Sequence, residues 1–133
     1  MNCTVLVVDD QPDTADSMAM WLELAGHRAL RAYTGREALR VAASERPDVV
    51  LLDITLPDIS GYEVARAILA EPHSTPPRLA ALTGRTLERD RELERRAGFS
   101  QFFLKPVDPM ELTDWLTRVA HTPDQSSGSM TLR

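Results

Sequence analysis

Apolar residues along this chain fall into two patterns that alternate: short unbroken runs, and longer stretches with helical spacing. The runs are Thr4–Val8, a weaker one at Arg28–Ala32, then Asp48–Leu52, Arg78–Leu82 and Gln101–Leu104. Three of them are almost continuously aliphatic or aromatic, as strands buried on both faces should be. Between the runs the period changes. After Pro12, the residues Ala15, Met18, Ala19 and Leu22 share one helical face, and Gly26 is placed to cap its end. Thr34 followed by Glu37, and Ser60 followed by Glu63, are capping boxes that open a second and a third helix. Val64, Ala65 and Ile68 make the inner stripe of the third. A fourth helix is predicted over Thr86–Ala97, the least amphipathic of the set, ending at Gly98. The fifth has Asp108 as N-cap, Pro109 in its first turn and Glu111 reaching back, with a core face of Leu112, Trp115, Leu116 and Val119.

Five strand–helix units in strict alternation, joined by right-handed crossovers, give an α/β fold with a doubly wound five-stranded parallel sheet. Ligands of such sheets sit outside the carboxyl ends of the strands, so chemistry is to be sought in the residues just after each strand. The predicted domain covers residues 1–120. From His121 on, residues 121–133 have the composition of a flexible tail or linker. No room remains there for an output domain, so the expectation is either a stand-alone domain or one excised from a larger protein.

Composition narrows the class without naming it. The chain has 133 residues, 43% hydrophobic and 26% charged, enough for one buried core. No apolar run reaches the roughly 20 residues of a membrane span, and no basic segment precedes an apolar one at the N-terminus. A membrane partner and a secretory signal are therefore not expected. Cys3 is the single cysteine, which excludes an internal disulfide and fits a reducing cytoplasm; it reads as a small strand residue rather than a reactive thiol. A net charge of −5 argues against direct binding of nucleic acid. The arginines at 85, 89, 91, 95 and 96 are interleaved with Glu88, Asp90, Glu92 and Glu94, a solvated helix with pairs such as Glu92 and Arg96. His27, His73 and His121 show no metal-ligand spacing and read as solvated.

The strand ends are where the chemistry gathers. The first strand ends in Asp9-Asp10, the third in Asp53, the fourth in Thr83 and the fifth in Lys105-Pro106. Each is weak alone: Asp10 ahead of Pro12 reads first as a helix N-cap, and a Lys-Pro pair is common. Together they put three carboxylates, a hydroxyl and an ammonium at one rim and nothing comparable at the other. Crowded carboxylates repel, and a hard divalent cation lets all of them stay ionised. Mg²⁺ suits the set, since it takes one or two carboxylates and keeps other positions for water and phosphate oxygens, with Mn²⁺ a substitute.

Val7-Val8-Asp9-Asp10, then Asp48 to Asp53 continuing through Pro57 to Gly61, then Leu82-Thr83-Gly84, then Phe102 to Lys105-Pro106 resemble the receiver domains of two-component response regulators. The likeness is collinear from about Thr4 to Ala120, and around Ala81–Gly84 and Lys105–Asp108 it extends to receivers fused to hybrid sensor kinases. It implies a flavodoxin-like fold with strand order 2-1-3-4-5. It also implies that Asp53 takes a phosphoryl group from a phosphohistidine on a histidine kinase or phosphotransfer protein. Asp10, Asp53 and the backbone carbonyl of Thr55 would hold Mg²⁺ directly, and Asp9 through water. Lys105 and Thr83 would meet the phosphoryl oxygens, and Phe102 would be the aromatic that swings inward with Thr83. The implied role is a cytoplasmic signalling domain, not an enzyme, that passes its state to a protein target. The fourth helix and fifth strand are the expected output surface, where a phosphorylation-dependent homodimer could form.

The chain departs from that pattern in places. Gln11 stands where another acid is frequent, Phe102 lacks the hydroxyl of the more usual tyrosine, and Thr55 and Arg85 occupy positions that tune acyl-phosphate lifetime. Gly84 is small, which leaves room for the phosphoryl group. Two other classes are disfavoured by single residues. A flavin domain would need hydroxyls and amides after the first strand, where Asp9-Asp10 would repel the phosphate. An aspartyl-phosphate phosphatase would need an acid two residues after the nucleophile, and Thr55 stands there. A receiver-shaped interaction module that no longer takes phosphate stays open; incubation with acetyl phosphate and Mg²⁺ separates it.

Overall fold

Val5, Leu6, Val7 and Val8 have no exposed surface, because the strand they form, β1 (Thr4–Val8), lies inside the sheet with helices on both sides. The computed structural model describes residues 3–72, 75–84 and 95–121. After β1 come α1 (Pro12–Leu24), β2 (Arg28–Ala32), α2 (Gly35–Glu45), β3 (Val49–Asp53), α3 (Gly61–Ala70), β4 (Arg78–Thr83), β5 (Phe99–Leu104) and α4 (Pro109–His121). The strands are all parallel, in the order β2-β1-β3-β4-β5. This is the doubly wound, flavodoxin-like sheet expected. The helix expected over Thr86–Ala97 lies outside the described residues up to position 94, and Arg95 and Arg96 are helical. The tail beyond His121 lies outside them too.

Alternation along the strands divides the core in two. Val5, Val7, Leu51, Leu82 and Phe103 face Ala15, Ala19 and Leu22 of α1 and Leu112, Trp115 and Leu116 of α4. Leu6, Val8, Val50, Leu52 and Ala81 face Ala38 and Ala42 of α2 and Val64, Ala65 and Ile68 of α3. Each fully buried leucine or phenylalanine contributes about 1.5–3 kcal/mol relative to exposure. Phe103 also meets Trp115 edge-on, with ring centroids 5.7 Å apart.

Helix ends follow local chemistry, with exceptions. Thr34 Oγ1 accepts from Glu37 N (3.1 Å), Ser60 Oγ from Glu63 N (3.2 Å) and Asp108 Oδ1 from Met110 N (2.9 Å). The N-cap of α1 is Gln11, without a side-chain cap bond, rather than Asp10, whose carboxylate is left for the rim. Gly26, at φ +98°, ends α1 in the left-handed region as expected. Among the described residues no helix is long and apolar enough to cross a membrane.

The rim opposite the strand ends holds one correction. His27 is half-buried, not solvated: its Nδ1 accepts the backbone N–H of Cys3 at 3.1 Å, just ahead of β1. That bond requires the neutral ring, and burial lowers the pKa of His27 below its ordinary 6.5. The unfolded chain therefore takes up the proton first. The stabilising contribution is complete above pH 6.5 and is lost as pH falls from there through the folded-state pKa. Urea midpoints are expected to decline across that window in the wild type and to decline less in His27→Gln; equal declines would remove His27 as the cause. Cys3 itself is buried, and burial raises its thiol pKa, which makes it an unreactive packing residue.

Candidate functional site

Strand register assembles the site before any side chain is placed. Val8 pairs with Leu52, so the next residues, Asp9 and Asp53, emerge side by side. Asp53 pairs with Leu82, and Thr83 with Leu104, so Thr83 and Lys105 follow on the same rim. Backbone bonds carry the ladders past the strand ends: Asp9 N to Ala32 O at 3.1 Å, Ile54 N to Leu82 O at 3.2 Å, and Lys105 N to Thr83 O at 2.8 Å. The Lys105–Pro106 peptide is cis.

Lys105 Nζ sits 3.0 Å from Asp53 Oδ2 and 3.0 Å from Asp9 Oδ2. The first contact is a hydrogen bond. The second is an ion pair without hydrogen-bond alignment, since Asp9 Oδ2 is fully buried and takes no hydrogen bond. Asp9 is 0% and Asp53 3% exposed, so the two carboxylates share one cation almost out of water. Burial alone would lower the pKa of Lys105. The hydrogen bond to Asp53 and the nearby charge of Asp9 outweigh it and hold the ammonium above the usual lysine range. The other carboxylate oxygens are fixed by short turns: Asp53 Oδ1 accepts from Thr55 N (3.0 Å) and Thr55 Oγ1 (3.2 Å), and Asp9 Oδ1 from Gln11 N (3.0 Å).

Asp9, Asp10 and Asp53 each offer a carboxylate oxygen within 4.8 Å of the others. One lysine cannot neutralise three such groups, and a buried carboxylate oxygen without a hydrogen bond is a strained acceptor. A hard divalent cation answers both, and an all-oxygen donor set with an exposed Asp10 fits Mg²⁺.

Of the residues singled out in the sequence, Asp9 and Asp53 meet Lys105 directly, and Asp10 offers a carboxylate oxygen within 4.8 Å of those of both acids. Thr83 is half-buried at the end of β4, on the same rim. Phe102 is half-buried on the other face of β5 and packs against the α2–α3 side of the core. A Cβ on Gly84 would meet no atom of the described residues within 4 Å; Arg85 lies outside the described residues. Three contributions to the site were not read from the sequence. Thr55 holds Asp53 with both its amide and hydroxyl, a habit that the Asp-x-Thr spacing could have signalled. Gly61 lets α3 start against the backbone of Asp53. Trp21, with Thr14, Met18, Pro106 and Leu112, lines a cleft of about 670 Å³ that opens beside Lys105.

Known proteins are similar to this chain in sequence and fold. Residues 5–117 match the model of the response regulator receiver domain. Protein PilH of Pseudomonas aeruginosa is 30% identical over 115 residues, spanning 86% of this chain and 95% of that protein. The chemotaxis protein CheY4 of Vibrio cholerae superposes with a TM-score of 0.84 at 28% identity, covering 90% of this chain and 99% of that one. The receiver domain of the sensor histidine kinase PA1611 of Pseudomonas aeruginosa, solved with a magnesium ion coordinated in its active-site cleft, superposes at 0.79 with 31% identity, covering 89% and 97%. The match in sequence and the meeting of acids and lysine at one rim concern the same stretch of chain, and it belongs to the response regulator receiver domain family.

Proposed function

We propose that this chain is a phospho-accepting receiver in a two-component phosphorelay, with Asp53 as the acceptor and a phosphohistidine on a kinase or phosphotransfer protein as donor. The observation that carries the reading is the buried Asp53 carboxylate 3.0 Å from the Lys105 ammonium within a three-acid cluster. An Asp53 oxygen forms the new bond to phosphorus as the donor's N–P bond breaks, and the leaving imidazole takes a proton from solvent. Asp10, Asp53 and the Thr55 carbonyl would hold Mg²⁺ directly, and Asp9 would hold it through water. A cation held there would supply positive charge to the acids and to the phosphoryl oxygens. Lys105 is already charged and aimed at Asp53, so it needs little reorganisation to turn to a phosphoryl oxygen. Thr83 donates its hydroxyl to another. The cleft beside Lys105 is the approach for the donor.

Phosphorylation adds about −1.5 to −2 charges at Asp53. Thr83 and Phe102 convert that change into a different surface on β5, where Leu104 is 52% exposed. That surface meets the downstream protein target or a second copy of the domain. Water attack later returns Asp53 and inorganic phosphate, which makes this a self-resetting signal rather than a turnover enzyme.

The test is incubation with acetyl phosphate and Mg²⁺ followed by intact-protein mass spectrometry. One phosphoryl group should be gained, labile to hydroxylamine, absent with chelator and absent in Asp53→Asn. No gain from acetyl phosphate or any other small donor would favour the pure interaction module.

A further inference from the structure

The first turn of α2 has its backbone donors fully accounted for, and half of the account comes from another part of the chain. Glu37 N is met by Thr34 Oγ1, and Ala38 N by Thr34 O. The two that remain, Gly35 N and Arg36 N, donate to Asp58 Oδ1 (2.8 Å) and Asp58 Oδ2 (2.9 Å). Asp58 lies in the β3–α3 loop, five positions after Asp53. Its carboxylate thus fills the anion site at the positive end of α2 that a free helix would offer to water or phosphate. These two amides hold its pKa below the usual carboxylate range. The next residue, Ile59, packs so tightly on Gly35 that a Cβ there would strike its side chain.

The loop tied down in this way is short and carries Thr55, whose amide and hydroxyl orient Asp53. Its other anchor is the bond from Gly61 N to Ile54 O at 2.9 Å. Between those anchors the described residues show no other side-chain bond from the loop to a neighbouring helix, so Asp58 sets where the Thr55 end of the loop sits. From this geometry we infer that Asp58 is a positioning residue for the acidic site: by fastening the β3–α3 loop to α2 it holds Thr55 and Asp53 where a cation and a phosphoryl group can be received. The inference rests on the phospho-acceptor reading above.

The experiment compares wild type, Asp58→Ala, Asp58→Asn and Thr34→Ala. Mg²⁺ is titrated by amide NMR at Asp53 and Thr55, and initial rates of phosphorylation by acetyl phosphate are measured as a function of Mg²⁺. Thr34→Ala weakens the same helix end without touching the loop, so it reports what a merely structural defect does. Asp58→Ala is expected to raise the Mg²⁺ needed for half-saturation by roughly 10-fold, the lower end of the range for groups that orient metal ligands. Its rate at saturating Mg²⁺ should stay within about twofold of wild type, because the chemical groups themselves are intact. Asp58→Asn, which keeps one acceptor oxygen, should fall between. Thr34→Ala should leave the Mg²⁺ titration where it was. Equal titrations for wild type and Asp58→Ala, or an equal shift in Thr34→Ala, would overturn the inference while leaving the phospho-acceptor reading standing. A wild type that takes up neither Mg²⁺ nor phosphoryl would overturn both.

Discussion

Lys105→Met is expected to lower the melting temperature by about 10 °C in the presence of chelator, and to lose much of that deficit when Mg²⁺ is added. Methionine matches the aliphatic stem of lysine but leaves Asp9 and Asp53 without the cation they share at 3.0 Å. Both carboxylates are essentially buried, so water cannot take its place. Breaking a buried pair by removing one partner costs about 3–5 kcal/mol. The Lys105 side chain is 30% exposed, and screening of that part brings the expected figure to roughly 2–3 kcal/mol. That is a large fraction of the 5–15 kcal/mol that holds a domain of this kind together, hence the shift in melting temperature of about this size. Mg²⁺ restores stability in this account because its ligands are the same carboxylates. Equal melting curves for wild type and variant in chelator would show that the acids do not depend on Lys105. A variant that melts low and ignores Mg²⁺ would show that they do not hold the cation. Acyl-phosphate formation should fall at least about 100-fold even at saturating Mg²⁺, since a preorganised charge on a transferring phosphoryl oxygen is lost.

How far the sequence announced all this depends on which physical signal is involved. Burial on both faces leaves a plain trace, and β1, β3 and β4 were legible as aliphatic runs for that reason. The meeting of Asp9, Asp10, Asp53 and Lys105 was legible too, because a parallel sheet sends every carboxyl end to one rim whatever the details of packing. Edges were harder. β5 begins at Phe99, two residues before its expected start, because the ladder with β4 is irregular between Leu79 and Ala80, which disturbs the alternation on which the reading relied. β2 carries two arginines, and these are accommodated by Glu45 at 2.9 Å from Arg28 and Asp16 at 3.2 Å from Arg31. α2 ends at Arg46 in the left-handed region (φ +49°), with no glycine or asparagine to mark it. What pattern could not give was the partner of each polar group. Asp10 looked like the cap of α1 and is not. His27 looked solvated and holds Cys3. Asp58 was not singled out at all, and it closes the N-terminus of α2. Such pairings depend on distances set to within a few tenths of an ångström between segments far apart in sequence, and a one-dimensional pattern does not encode them.

Glycine substitutions offer the second large effect, because three glycines near the site differ sharply in what surrounds them. A Cβ on Gly61 would lie 2.6 Å from the backbone oxygen of Asp53 and 2.7 Å from Ile54 Cα. Neither obstacle can rotate away, so the start of α3 must separate from the end of β3 and the bond from Gly61 N to Ile54 O is put at risk. Overpacking of this sort costs about 1–3 kcal/mol, and the upper end is expected for Gly61→Val, where a branched side chain meets backbone. Because the displaced atoms belong to Asp53 and its neighbour, phosphoryl uptake should fall along with stability. At Gly35 a Cβ would strike Ile59 and Val64, but these are side-chain ends that can shift, so Gly35→Ala should destabilise less. At Gly84 nothing among the described residues lies within 4 Å, and Gly84→Ala should leave folding within about 0.5 kcal/mol of wild type. Denaturant midpoints for Gly61→Val, Gly35→Ala and Gly84→Ala should therefore rise in that order. A Gly61 variant as stable as the Gly84 variant would mean that α3 and β3 are not in the close contact on which the placement of Asp53 depends.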